Sequence, residues 1–211
     1  MLIREKALRV AEAELKRGVK EDPPGSNSGP RVNLYLKSAG LGPGYPWCMA
    51  FVNWCYRQAG LDLKHPNEAS VGFFEAWAKE HGYLVGRPQP GDIVCYRWDG
   101  DDWPDHVGIV KEVGPTRIRV IEGNTAVGDD TNGGRVMLRS RSLSRCLFVR
   151  IPGAVSVKPK PTASTGGVVY VDVDRPGPND LEHQSVENPA LWARLKVWAK
   201  AKKPFAVKPR G

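Results

Sequence analysis

The spacing of apolar residues changes once along this chain. Over residues 4–17, Leu8, Ala11 and Leu15 recur at three- and four-residue steps among charged positions, which predicts an amphipathic helix that Gly18 ends. Pro30 is suited to open a short second helix running to about residue 39, before Gly40. From 48 to 59, Cys48, Phe51, Val52 and Cys55 fall at i, i+3, i+4 and i+7 ahead of Gly60. This is the best helix in the sequence, and it puts Cys48 at a helix N-terminus. Ser70 is an N-cap for a fourth helix to about residue 80, with Val71, Phe74 and Trp77 as its buried face. The intervening EDPPGSNSG and LGPGYPW segments are too rich in Gly and Pro to be regular.

Beyond residue 82 the runs become short and β-like, at 92–96, 106–110, 117–122, 135–139 and 146–151, separated by turn residues. Helices first and strands afterwards is an α+β pattern, with the helices on one face of an antiparallel sheet. Residues 1–153 are expected to form this domain, and residues 154–167, with the segment VSVKPKPTASTGG, to be a linker by composition. Residues 168–211 are expected to be a small appendage with a strand at 168–173 and a terminal helix from about residue 189 to 202.

Charge sharpens this division. The formal net charge is +8, yet residues 189–211 hold seven basic residues and no acidic one, leaving 24 basic against 23 acidic in residues 1–188. The body is nearly neutral and the tail cationic, which calls for an anionic partner such as a wall polymer or a membrane surface. No nucleic-acid recognition motif accompanies the charge, and no nucleic acid is expected. The N-terminal helix is broken by charges every few positions, unlike the apolar core of a signal peptide, so synthesis in the cytoplasm without one is expected.

Four cysteines, at 48, 55, 95 and 146, form no CxxC pair, so neither a zinc site nor a disulfide framework is indicated. Cys55, Cys95 and Cys146 read as core. Cys48 differs because a helix N-terminus favours a thiolate, the form of the side chain that attacks an amide, and the same turn can offer a backbone N–H to an oxyanion. A base must come from elsewhere. Of four histidines, His65 and His81 lie in loops and His183 beyond the linker, whereas His106 opens the strand-like run HVGIV, where a rigid backbone can aim an imidazole. Glu122 and Asn124 close the next strand, VIEGN, and either can orient that imidazole. Glu122 ends the apolar face of Ile118 and Val120 and so needs a partner, for which His106 is the candidate. Trp47, Trp98 and Trp103 are candidates for stacking on substrate.

The strings PWCMAFVNWCYRQAG, PGDIVCYRW, DHVGIV and VIEGNT, in that order within residues 28–151, resemble the CHAP domain, the cysteine, histidine-dependent amidohydrolase/peptidase. The resemblance implies a papain-like fold related to NlpC/P60 proteins, common in phage endolysins and bacterial wall hydrolases. It implies Cys48 as nucleophile, His106 as base, Glu122 as orienting group and Asn124 as a further polar site residue, with Asp92 of PGD holding a turn. It further implies that the protein cleaves peptidoglycan, either at the N-acetylmuramoyl-L-alanine amide or at a peptide bond, acting at the host wall after release. No cofactor or metal is expected, since residues 23–47 carry no acidic side chain for a hard cation. The competing expectation is a non-catalytic phage structural or wall-binding module that keeps the fold.

Overall fold

The computed structural model describes residues 1–98, 103–128 and 132–153. The expected linker, the appendage with its strand and helix, and His183 lie outside the described residues. Four helices come first, α1 (Ile3–Arg17), α2 (Val32–Ser38), α3 (Cys48–Gln58) and α4 (Val71–Glu80). Six strands follow: β1 (Leu84–Val85), β2 (Ile93–Tyr96), β3 (His106–Val113), β4 (Arg117–Thr125), β5 (Arg135–Ser142) and β6 (Cys146–Val149). They form one antiparallel sheet in the order β1-β6-β2-β3-β4-β5. The fold is therefore α+β, as the change of period predicts. The two-residue β1 is too short to leave a pattern in the sequence.

Alternation along the strands divides the core. Ile93, Cys95, Val107, Ile109 and Ile121 join the main cluster beneath α1 and α3, whereas Val94, Tyr96, Val110, Ile118, Val120 and Phe148 form a smaller cluster. Every residue of α3 from Cys48 to Tyr56 is buried, so this helix is enclosed on all sides and its apolar stripe understates its burial. Gly123 of β4 lets α3 come close: a Cβ there would lie 2.8 Å from Phe51 Cβ and from Trp47 Cζ3.

Several faces are turned relative to expectation. In α1 the buried residues are Ile3, Ala7, Ala11 and Glu14, with Leu8 and Leu15 only partly buried at their flanks. The cause is Glu14, drawn inward by a bidentate contact with Arg31 (2.6 and 2.7 Å) and by the hydroxyl of Tyr35. In α4, Gly72, Phe74, Glu75 and Ala78 are buried with Val71, while Trp77 is half-buried beside His81 and Tyr83. All four cysteines are free thiols; Cys55 and Cys95 are core, but Cys146, at the start of β6, is half-buried and not a core residue.

Candidate active site

Cys48 is the first residue of α3. Its N-cap, Trp47, supplies no side-chain hydrogen bond to the helix start, so the first-turn N–H groups are left to act on whatever charge sits there. Cys48 is 6% exposed, enough to mark the edge of the core. Trp47 itself is fully buried, its Nε1 donating to Glu21 Oε1 at 2.9 Å and its ring 5.8 Å from that of Tyr35. This corrects its assignment as a stacking platform: an indole sealed by the core and tied to a carboxylate has no face to give a substrate.

His106 opens β3, paired with Tyr96 of β2, and is fully buried. Its Nε2 lies 3.2 Å from Glu122 Oε2, and the Cys48 thiol is the other polar neighbour that acts on the ring. Neither ring nitrogen is in full hydrogen-bond alignment, a looseness common where catalytic contacts tighten only with substrate. Burial alone would depress the imidazolium. Hydrogen bonds and charge from Cys48 and Glu122 outweigh it and raise His106 to about 9. Glu122 shows the converse: burial would raise it, but Arg141 and His106 hold it down at about 2. At neutral pH the pair is thus an imidazolium beside a carboxylate. Gly108 of β3 makes room for that carboxylate, since a Cβ there would fall 2.8 Å from Glu122 Cγ.

The structure therefore brings Cys48, His106 and Glu122 together. Asn124 is buried at the irregular end of β4, where the β4–β5 register shifts between Glu122 and Thr125. Its φ is 59°, and its side-chain Nδ2 donates to Asn132 Oδ1 at 3.4 Å, so it engages the following loop. Of the two candidates for meeting the imidazole, Glu122 is the one in contact. Trp98 is half-buried, its ring stacked 5.6 Å from His106, while Trp103 packs edge-on against Phe73 and over Gly72 of α4. Asp92 holds a turn, accepting from Gln89 N at 2.7 Å and from Arg150 Nη2 at 2.8 Å. Buried His65 bonds Asn53, and His81 caps α4.

Two residues escape sequence reasoning. Arg141 of β5 grips Glu122 through both oxygens, Nε to Oε1 at 2.8 Å and Nη2 to Oε2 at 2.6 Å, and the hydroxyl of Tyr96 donates to Oε1 at 3.0 Å. Glu122 thus has three partners where one was expected. Only the β4–β5 pairing, with Ile118 opposite Arg141, exposes this relation. Among the described residues, no group of three or more His, Cys, Asp or Glu side chains converges as a metal site would require.

A thiol at a helix start, beside an imidazolium backed by a carboxylate, can form a thiolate–imidazolium pair, the arrangement used for attack on acyl groups. Residues 40–124 match the sequence profile of the CHAP domain. That span holds Cys48, His106 and Glu122 and stops short of Arg141. No curated protein matches the chain.

Proposed function

We propose, from the match of residues 40–124 to the CHAP domain, the amidohydrolase and peptidase domain of peptidoglycan hydrolases, that this protein is a lytic enzyme of the endolysin kind that cleaves an amide bond of the wall peptide through Cys48. The observation that carries this reading is His106 lying between the Cys48 thiol and the Glu122 carboxylate. Cys48 Sγ attacks the amide carbonyl as thiolate. The oxyanion faces the backbone N–H groups at the start of α3. As the C–N bond breaks, the His106 imidazolium gives its proton to the leaving amine, and a thioester remains on Cys48. The now neutral imidazole takes a proton from water, which attacks the thioester and releases the carboxylic acid product and the Cys48 thiolate, so that the thiolate–imidazolium pair is restored. Glu122 orients the ring and balances its positive charge, the part a triad's third member plays. Positioned acid–base chemistry of this type contributes roughly 10²–10⁴-fold to rate.

The bond cut is the muramoyl–alanine amide or a peptide bond of the stem or bridge, and mass spectrometry of the released fragments separates them. The basic residues of 189–211 are proposed to hold the enzyme to an anionic wall polymer or membrane surface. The decisive experiment compares wild type with Cys48→Ala in clearing a suspension of purified walls. Wild type should clear it and the variant should not. If neither clears it while both bind walls, the domain is a binding module; if the variant clears it, Cys48 is not the nucleophile.

A further inference from the structure

Resting on the hydrolase reading above, we propose that Arg141 is a positioning residue of this site, whose forked grip on Glu122 aims the carboxylate at His106 and thereby sets the imidazole against Cys48. A glutamate side chain has three rotatable bonds, and Glu122 stands where the β4–β5 register breaks, so the backbone alone does not fix its carboxylate. Arg141 does. Its Nε and Nη2 take Oε1 and Oε2 in parallel, and Oε2 is the oxygen 3.2 Å from His106 Nε2. A planar fork fixes both the position and the plane of a carboxylate, which a point charge cannot do.

The guanidinium is itself held. Arg141 is 9% exposed, with its Cζ 4.8 Å from the Trp98 ring centroid and 5.6 Å from that of Tyr96. Those two rings stack on one another at 4.8 Å, and Trp98 also stacks on His106 at 5.6 Å. The aromatic pair that seats Arg141 thus bears on the imidazole too, and Tyr96 adds its hydroxyl to the same carboxylate. Arg141 reaches His106 by two routes, through Glu122 and through Trp98. An ion pair serving only stability has no need to end on an imidazole beside a thiol, and buried pairs often contribute little to stability.

The test uses the full chain with Arg141→Lys, Arg141→Gln, Glu122→Gln and the double variant Arg141→Lys/Glu122→Gln. Turnover of soluble wall fragments is followed across pH, folding is checked by circular dichroism, and Cys48→Ala serves as the inactive control. Both Arg141 variants should fold, lose at least tenfold in kcat and keep KM within about twofold. Arg141→Lys retains the charge but not the fork, so its alkaline limb of kcat/KM should move to lower pH as the misaligned carboxylate supports the imidazolium less. The double variant should be no worse than Glu122→Gln, because Arg141 acts through that carboxylate. Wild-type kcat and alkaline limb in folded Arg141→Lys overturn the proposal, as does an additive loss in the double variant or failure of both single Arg141 variants to fold, which makes Arg141 a scaffold residue. Cys48→Ala matching wild type is a different result, which removes the hydrolase reading itself.

Discussion

The indole of Trp47 donates to Glu21 across 2.9 Å and so ties the residue before Cys48 to the loop after α1. Both side chains are buried, and the other oxygen of Glu21, Oε2, lies beneath Gly134 with no hydrogen-bond partner among the described residues. The position of the thiol along the chain is thus secured from behind, by a neutral donor meeting a buried carboxylate.

Trp47→Phe keeps most of the packing but strips Glu21 of its hydrogen bond. Leaving a buried acceptor unpaired costs about 1–3 kcal/mol, so the urea midpoint should fall accordingly. Because the same bond helps to hold Cys48 in place, kcat per folded molecule should fall while KM stays near wild type. A large rise in KM at unchanged stability would instead give Trp47 a role in substrate contact.

Gly123→Ala tests how closely α3 must lie on the sheet. A Cβ at that position meets Phe51 Cβ and the buried Trp47 ring at 2.8 Å, and the first of these sits next to the helix backbone and cannot step aside cheaply. Overpacking of this kind costs about 1–3 kcal/mol. The shift of α3 should also move Cys48 away from His106, so kcat should drop by more than the loss of folded protein accounts for, as seen by comparing turnover with folded fraction.

Stability should depend on pH through the buried pair. His106 is raised from 6.5 to about 9, so its contribution is complete below pH 6.5 and is lost as pH rises through 9. Glu122 is lowered from 4.5 to about 2, so its contribution is complete above pH 4.5 and is lost as pH falls through 2. Relative to a His106→Gln/Glu122→Gln double variant, wild type should show its largest advantage in unfolding free energy between pH 4.5 and 6.5 and a shrinking one on either side. Urea titrations at about pH 5.5 and pH 9 check the alkaline arm; an advantage that grows toward pH 9 contradicts the charged pair.

Reversing charge in the tail tests its proposed role without shortening the chain. Lys200→Glu, Lys202→Glu and Lys203→Glu together should weaken binding to whole walls or anionic vesicles, and the gap from wild type should close as salt rises, since exposed charges are screened over about 8 Å at physiological ionic strength. Turnover of soluble fragments should not change. Equal wall binding by the two proteins at low salt would separate the tail from targeting.

What was legible in the sequence was what local period and local chemistry determine. The i, i+3, i+4, i+7 stripe placed Cys48 at a helix start, Ser70 capped α4 with its side chain accepting from Phe73 N, and HVGIV put His106 on a strand. The need of Glu122 for a partner was also visible, since a carboxylate at the end of an apolar strand face cannot stay bare. Its chief partner was not. Arg141 sits in RSRS, which reads as a solvated edge, and only the antiparallel register of β4 and β5 turns that guanidinium inward. The fate of Trp47 depended on Glu21, and the burial of Glu14 in place of an apolar neighbour on Arg31 and Tyr35. The conformation of Asn124 is set by a local feature that periodicity does not carry: at the register break it has a left-handed backbone and its side chain donates to Asn132.

The thiol and the imidazole come from elements far apart in the sequence, and they meet only because α3 lies against β3 and β4. A chain in which that helix is undocked leaves the Cys48 thiol apart from His106 and Glu122. Reactivity of Cys48 toward a small alkylating reagent is therefore a gauge of assembly, changing during refolding when the helix seats on the sheet and the thiol is left only 6% exposed. Followed in time beside tryptophan fluorescence, it tells whether the thiol meets the imidazole as the core forms or after it.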